Sequence, residues 1–124
     1  MRARQPFDRL RELLRAQLPL PLAVSDAPQQ YRFGEDFAAY AEIDVRTGED
    51  FLVVVVRGYL PDDAFIAKVW HKRAPEVWLV DPEEEVVARV DRNGTGAILD
   101  VEQTLTSPLL PGVSIPVSAL FVSH

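Results

Sequence analysis

The sequence contains no cysteine. That excludes disulfides, thiolate zinc sites, iron–sulfur clusters and cysteine nucleophiles together. It also lacks any apolar run approaching the roughly 20 residues that a membrane-spanning helix needs, so no membrane association is expected. The opening stretch MRARQPFDRLRELL is charged from the start. It carries neither the apolar segment nor the small-residue cleavage site of a secretory signal, which predicts a cytoplasmic protein. Histidine is scarce, and His71 is the only one away from the terminus. It has no partner for a two-histidine metal site, and a Ser-His-Asp arrangement has no support. The glycines are scattered singly and nowhere form a phosphate-cradling loop.

Positive charge is in short supply as well. A net charge of -6 argues against a broad nucleic-acid-binding face, because phosphate contacts need clustered Lys and Arg. The deficit is local. From Glu76 to His124 there are eight acidic residues, and the only basic ones are Arg89 and Arg92. The first 75 residues are neutral overall, with Arg2, Arg4, Arg9, Arg11 and Arg15 crowded at the start. A basic patch is therefore expected at the N-terminal helix at most.

What is present fits one globular domain over 1–124. The chain has 124 residues, 48% hydrophobic and 26% charged, enough for a single core and too few for two domains. Residues 6–18 read as an amphipathic helix, with Pro6 at the first position and Phe7, Leu10, Leu13, Leu14 and Leu18 at helical spacing. The prolines of LPLPL end it. A loop follows, with a short strand near Gln30–Phe33. FAAYAEIDV, residues 37–45, alternates as one half-buried strand, with Tyr40, Glu42 and Asp44 on one side and Ala41, Ile43 and Val45 on the other. A turn over Arg46–Asp50 leads into FLVVVV, residues 51–56, a β-branched run suited to a strand buried on both faces. These two strands form a hairpin.

Pro61, Asp62 and Asp63 open a second helix, and His71, Lys72 and Arg73 close it, as the helix dipole favours. Phe65 with Val69, and Ile66 with Trp70, supply its buried stripe. EVWLVD, EEEVVARVD and AILDVEQ, with the Asn93-Gly94-Thr95-Gly96 turn between the last two, read as an antiparallel meander. The tail holds a proline-rich loop, a strand near Val113–Ile115 and a last helical turn that tucks Leu120 and Phe121 inward. The order predicts an α+β fold with one central sheet.

Two stretches carry a family resemblance: APEVWLVDPEEEVVARV at 74–90 and TLTSPLLPGVSIPVSALF at 104–121. They resemble the Uma-two family of bacterial proteins assigned as restriction endonucleases, whose members show a "GVPEYWLVDP" strand and turn and a "SPLLPGLELPLAELF" ending. The resemblance implies the PD-(D/E)XK nuclease-like fold, a central mixed sheet with flanking helices. It also implies a site in which two carboxylates fix a magnesium ion and a lysine positions or activates the attacking water. The family's first acid lies in a "YxPDVVV" strand, and Glu42 stands at its place, with Ala41 replacing the proline. The second lies in "PDLVVEVLSPS". Its position falls on Val54, or on Val55 if the register slips by one, so the carboxylate is missing.

On this reading Glu42 and Lys68 are the candidate catalytic residues, and Glu42 and Asp44, two apart on one side of a strand, the candidate metal ligands. Each has a blander reading: a solvated strand face for the acids and a solvated helix residue for Lys68. Trp70 and Trp78 read as core, and Glu83-Glu84-Glu85 as a solvated turn. The leading expectation is a degenerate, catalytically impaired domain acting as a structural, regulatory or interaction module. A homodimer or another protein would then be the partner; a further reading is a toxin–antitoxin or self-associating protein that pairs through a free sheet edge. The alternative is an active magnesium-dependent DNA endonuclease with relocated ligands, drawing on Asp62 or Asp63.

Overall fold

A computed structural model of the chain describes residues 5–19, 21–25, 28–33, 38–94 and 96–121. The expectations on Arg2, Arg4, Phe37 and Thr95 lie outside the described residues. The elements run α1 (Gln5–Gln17), β1 (Leu22–Val24), β2 (Gln29–Arg32), β3 (Ala38–Ala41), β4 (Ile43–Thr47), β5 (Asp50–Arg57), α2 (Ala64–Trp70), β6 (Glu76–Asp81), β7 (Val86–Asp91), β8 (Gly96–Leu99), β9 (Thr104–Leu105), β10 (Ile115–Pro116) and a 3₁₀ turn at Val117–Ala119. No helix among the described residues is long and apolar enough to cross a membrane.

The centre is a six-stranded sheet in the order β1-β4-β5-β6-β7-β8. Only β5 and β6 run parallel; β1-β4, β4-β5, β6-β7 and β7-β8 are antiparallel. The parallel pair needs a crossover connection, which α2 provides. The expected α+β class with a mixed central sheet is what the chain adopts, including the meander β6-β7-β8. The valine run explains the sheet's centre: Val53, Val54 and Val55 are fully buried, and alternate side chains point to opposite faces.

Val53 and Val55 join Phe7, Leu10 and Leu14 of α1, Ile43, Trp78 and the C-terminal Leu105 and Leu120 in one core. Val54 and Val56 join Ala67 and Trp70 of α2, with Val77, Leu79 and Ala88, in a second core on the opposite face. Each valine, leucine, isoleucine or phenylalanine among them contributes about 1.5–3 kcal/mol by leaving water, and each alanine about 0.8 kcal/mol.

A bulge refines this pattern. Val45 pairs with Val53 but Arg46 pairs with Phe51, so Leu52 is the extra residue. The slip turns Phe51 to the α2 side while Leu52 stays with the α1 core. The hairpin closes on a two-residue loop, Gly48-Glu49, between Thr47 and its partner Asp50. Gly48 has φ 62, the conformation its first loop position demands.

Three expectations fail. The predicted strand over 37–45 is broken at Glu42. β3 pairs with β2 in a separate ribbon, whereas β4 pairs with β1 and β5. Ala41 accordingly packs in the α2-side core and not with Ile43 and Val45. An alternating pattern marks which residues are apolar, but not where the strand leaves its sheet and the buried face changes sides. The second helix starts at Ala64 and not at Pro61, because Asp63 closes a turn, its N–H donating to the Tyr59 carbonyl at 2.8 Å and its Oδ2 accepting the Tyr59 N–H at 3.0 Å. Starting there, the short helix turns Ala67 and Trp70 to the sheet, and Phe65 is left 57% exposed.

Candidate functional site

Glu42 occupies the bend between β3 and β4. Its N–H donates to the Val55 carbonyl at 2.8 Å, which keeps the bend tied to β5. Its carbonyl accepts from the Arg11 guanidinium at 2.8 Å, and Arg11 Nε also donates to the Ser25 carbonyl at 2.9 Å. Arg11 is thereby withdrawn from any basic patch on α1 and clamps the helix onto the two loops it crosses. The Glu42 side chain is largely buried. It lines a cavity of about 360 Å³ with Tyr40, Val56, Arg57, Phe65 and Val69.

Asp44 is the register partner of Val54, as Ile43 is of Val55. Paired residues in a ladder point to the same face. Val54 therefore lies opposite Asp44 on the α2 side, while Val55 points with Ile43 and its other partner, Trp78, into the α1 core. Of the two valines, only Val54 shares a face with Asp44.

The Asp44 carboxylate is engaged on both oxygens. Tyr31 donates to Oδ2 at 2.9 Å and Arg46 Nε to Oδ1 at 2.9 Å, and Arg46 also donates to the Tyr31 hydroxyl. Asp44 is 2% exposed, so this triad braces the β2-β3 ribbon against the sheet from inside. The Arg46 guanidinium lies over the Phe51 ring, 4.6 Å from its centroid, a contact made possible by the bulge. Burial, reinforced by the neighbouring Asp44 carboxylate, pushes the Tyr31 phenol above its ordinary value.

Lys68 lies elsewhere. It lines a different cavity, with Ala64, His71 and Arg92, on the flank of α2 away from Phe65 and Val69. Asp62 is exposed, and its hydrogen bond with Tyr59 raises that phenol's pKa. Asp63 serves the turn before α2. Among the described residues no group of three or more histidine, aspartate or glutamate side chains is placed to hold a metal ion.

The C-terminal ends of the parallel strands form a third cavity of about 510 Å³, lined by Arg57, Tyr59, Asp63, Asp81, Glu83 and Glu84. Asp81 Oδ1 accepts the backbone N–H groups of Glu83 and Glu84 at 3.0 and 3.3 Å. It caps the turn that the acidic run was expected to form.

One buried network escaped the sequence reading. Glu76 is 3% exposed. Its Oε1 accepts the Trp78 indole N–H at 2.7 Å, and its Oε2 accepts the Ser107 hydroxyl at 3.1 Å. Ser107 Oγ in turn accepts the Leu109 N–H at 3.1 Å. The two stretches that carry the family resemblance thus meet through a buried carboxylate. The available signal was a single acid in the otherwise apolar EVWLV run.

The geometry defines a class: an α+β domain whose mixed sheet carries a helix on each face. No family model matches the chain, and no curated protein does. Among solved structures, it is similar to a protein from Anabaena variabilis ATCC 29413 described as a "putative nuclease belonging to DUF820", with a TM-score of 0.73 and 13% sequence identity. The match covers 98% of this chain and 80% of that one. The chain therefore shares that protein's fold.

Proposed function

We propose that this chain is a single, shortened Uma-two-type domain of the PD-(D/E)XK kind, cytoplasmic, in which metal-dependent DNA cleavage is impaired or lost. It acts as a structural, regulatory or interaction module. The observation that carries this reading is the pairing of Asp44 with Val54. Magnesium is held through carboxylate oxygens in near-octahedral geometry, and valine offers no oxygen. Asp44 opposite it accepts from Tyr31 and Arg46, so a cation there would compete with a guanidinium. The donor set does not fit magnesium.

The alternative, an active magnesium-dependent endonuclease with relocated ligands, needs Glu42 and Lys68 to converge. Their separate cavities favour the first reading. Calorimetric titration of the full chain with Mg²⁺ and Mn²⁺ tests it. The expected result is no saturable uptake that depends on Glu42 or Asp44. A saturable site lost in Glu42→Ala would overturn the reading.

A further inference from the structure

The cavity beside Lys68 has a chemistry of its own. It measures about 420 Å³ and lies between α2, the segment 60–61 and the β7-β8 turn. Leu60, Ala64 and Val90 supply apolar wall, and Lys68, Arg92 and Asn93 stand among its polar residues. Among the described residues no carboxylate lines it, although the chain carries 19 acidic residues against 13 lysines and arginines. Neither Lys68 nor Arg92 forms a salt bridge with a carboxylate among the described residues.

Arg92 is pre-positioned. Its Nε donates to the His71 carbonyl at 2.9 Å, which fixes the guanidinium and leaves its two terminal amino groups as donors. His71 is itself steadied by its Nδ1, 3.2 Å from the Ala74 carbonyl. A guanidinium fork and an ammonium beside an amide suit a planar or tetrahedral anion. A cavity of a few hundred Å³ with apolar walls and a few placed polar groups is the usual form of a small-molecule site.

We propose that this cavity binds a small organic anion, a phosphate or carboxylate head on a compact apolar body. The head meets Arg92, Lys68 and Asn93, and the body lies against Leu60, Ala64 and Val90. The site uses neither Glu42 nor a metal ion, so it stands or falls independently of the catalytic reading.

The test is calorimetric titration of the full chain at low ionic strength with phenyl phosphate, benzoate and benzylamine. One of the two anions is expected to saturate a single site, and benzylamine is not. The Lys68→Ala/Arg92→Ala double variant, which alters two exposed side chains, should bind at least about tenfold more weakly while still melting cooperatively, with only the small loss expected from the Arg92-His71 bond. Lys68→Arg should restore most of the affinity when compared with Lys68→Met. Three results would each overturn the proposal: no saturable binding of either anion, equal binding of benzylamine, or unchanged affinity in both the double variant and Lys68→Met.

Discussion

Replacing Glu76 with alanine is expected to destabilise the fold by about 3–5 kcal/mol, because it strands two buried donors and empties the space between them. Trp78 Nε1 loses its acceptor at 2.7 Å and Ser107 Oγ its acceptor at 3.1 Å. Water cannot substitute readily, since Glu76 and Trp78 are almost wholly buried. The cost is a large share of the roughly 5–15 kcal/mol that holds a domain of this size. Glu76→Gln should cost only about 1 kcal/mol: the amide oxygen still accepts from Trp78, and its NH₂ can donate to a reoriented Ser107 hydroxyl. Urea denaturation of the two variants checks the order. Equal losses would mean that the carboxylate's charge, and not its acceptor geometry, holds the two segments together.

Trp70→Ala is expected to cost a similar amount, about 3–5 kcal/mol, but with a different local signature. Trp70 is fully buried, and its ring meets Tyr31, Phe33 and Phe51 edge-on at 5.4, 4.9 and 5.8 Å between centroids. Among the described residues the β2-β3 ribbon shares no strand ladder with the six-stranded sheet. This cluster holds it together with the bonds of Tyr31 to Asp44 and Arg46 and the bond from Arg73 to the Arg32 carbonyl. Truncating Trp70 should therefore raise amide exchange over 29–32 and 38–41 well before it loosens β5 and β6, by local opening. Ala38, Ala39 and Tyr40 line the Glu42 cavity, so that cavity should lose its outer wall at the same time. Uniform acceleration of exchange across the whole sheet would contradict the separation of ribbon and sheet.

The main elements were legible because their patterns are strong. Phe7, Leu10 and Leu14 recur at helical spacing and are all buried. The run over 51–56 reads as a central strand, and Val53–Val56 are buried as such a strand requires. Trp70 and Trp78 are core as expected. The break at Glu42 was not legible, because the apolar and polar residues keep alternating along the sequence while the buried face changes from the α2-side core to the α1-side core. Phe65 misled because a short helix against a sheet needs only Ala67 and Trp70 as its inner face.

At the candidate site, the resemblance pointed to Val54 or Val55 without deciding between them, and in the β4-β5 register Val54 is the one of the two on Asp44's face. Arg46 reaches Asp44 from two residues along β4, a local contact, but the hold of Tyr31 on Asp44 depends on the ribbon folding back across the sheet, and no local pattern encodes that. The role of Glu76 was hidden for a related reason. Its partner Ser107 lies 31 residues away, and only the fold joins them.

The most direct test of the account is incubation of the pure protein with supercoiled plasmid and with single-stranded DNA in the presence of Mg²⁺ or Mn²⁺, beside the Glu42→Ala variant. With Val54 opposite Asp44, the expected result is no cleavage above that of the variant. Metal-dependent cleavage by the parent chain that Glu42→Ala abolishes would contradict it.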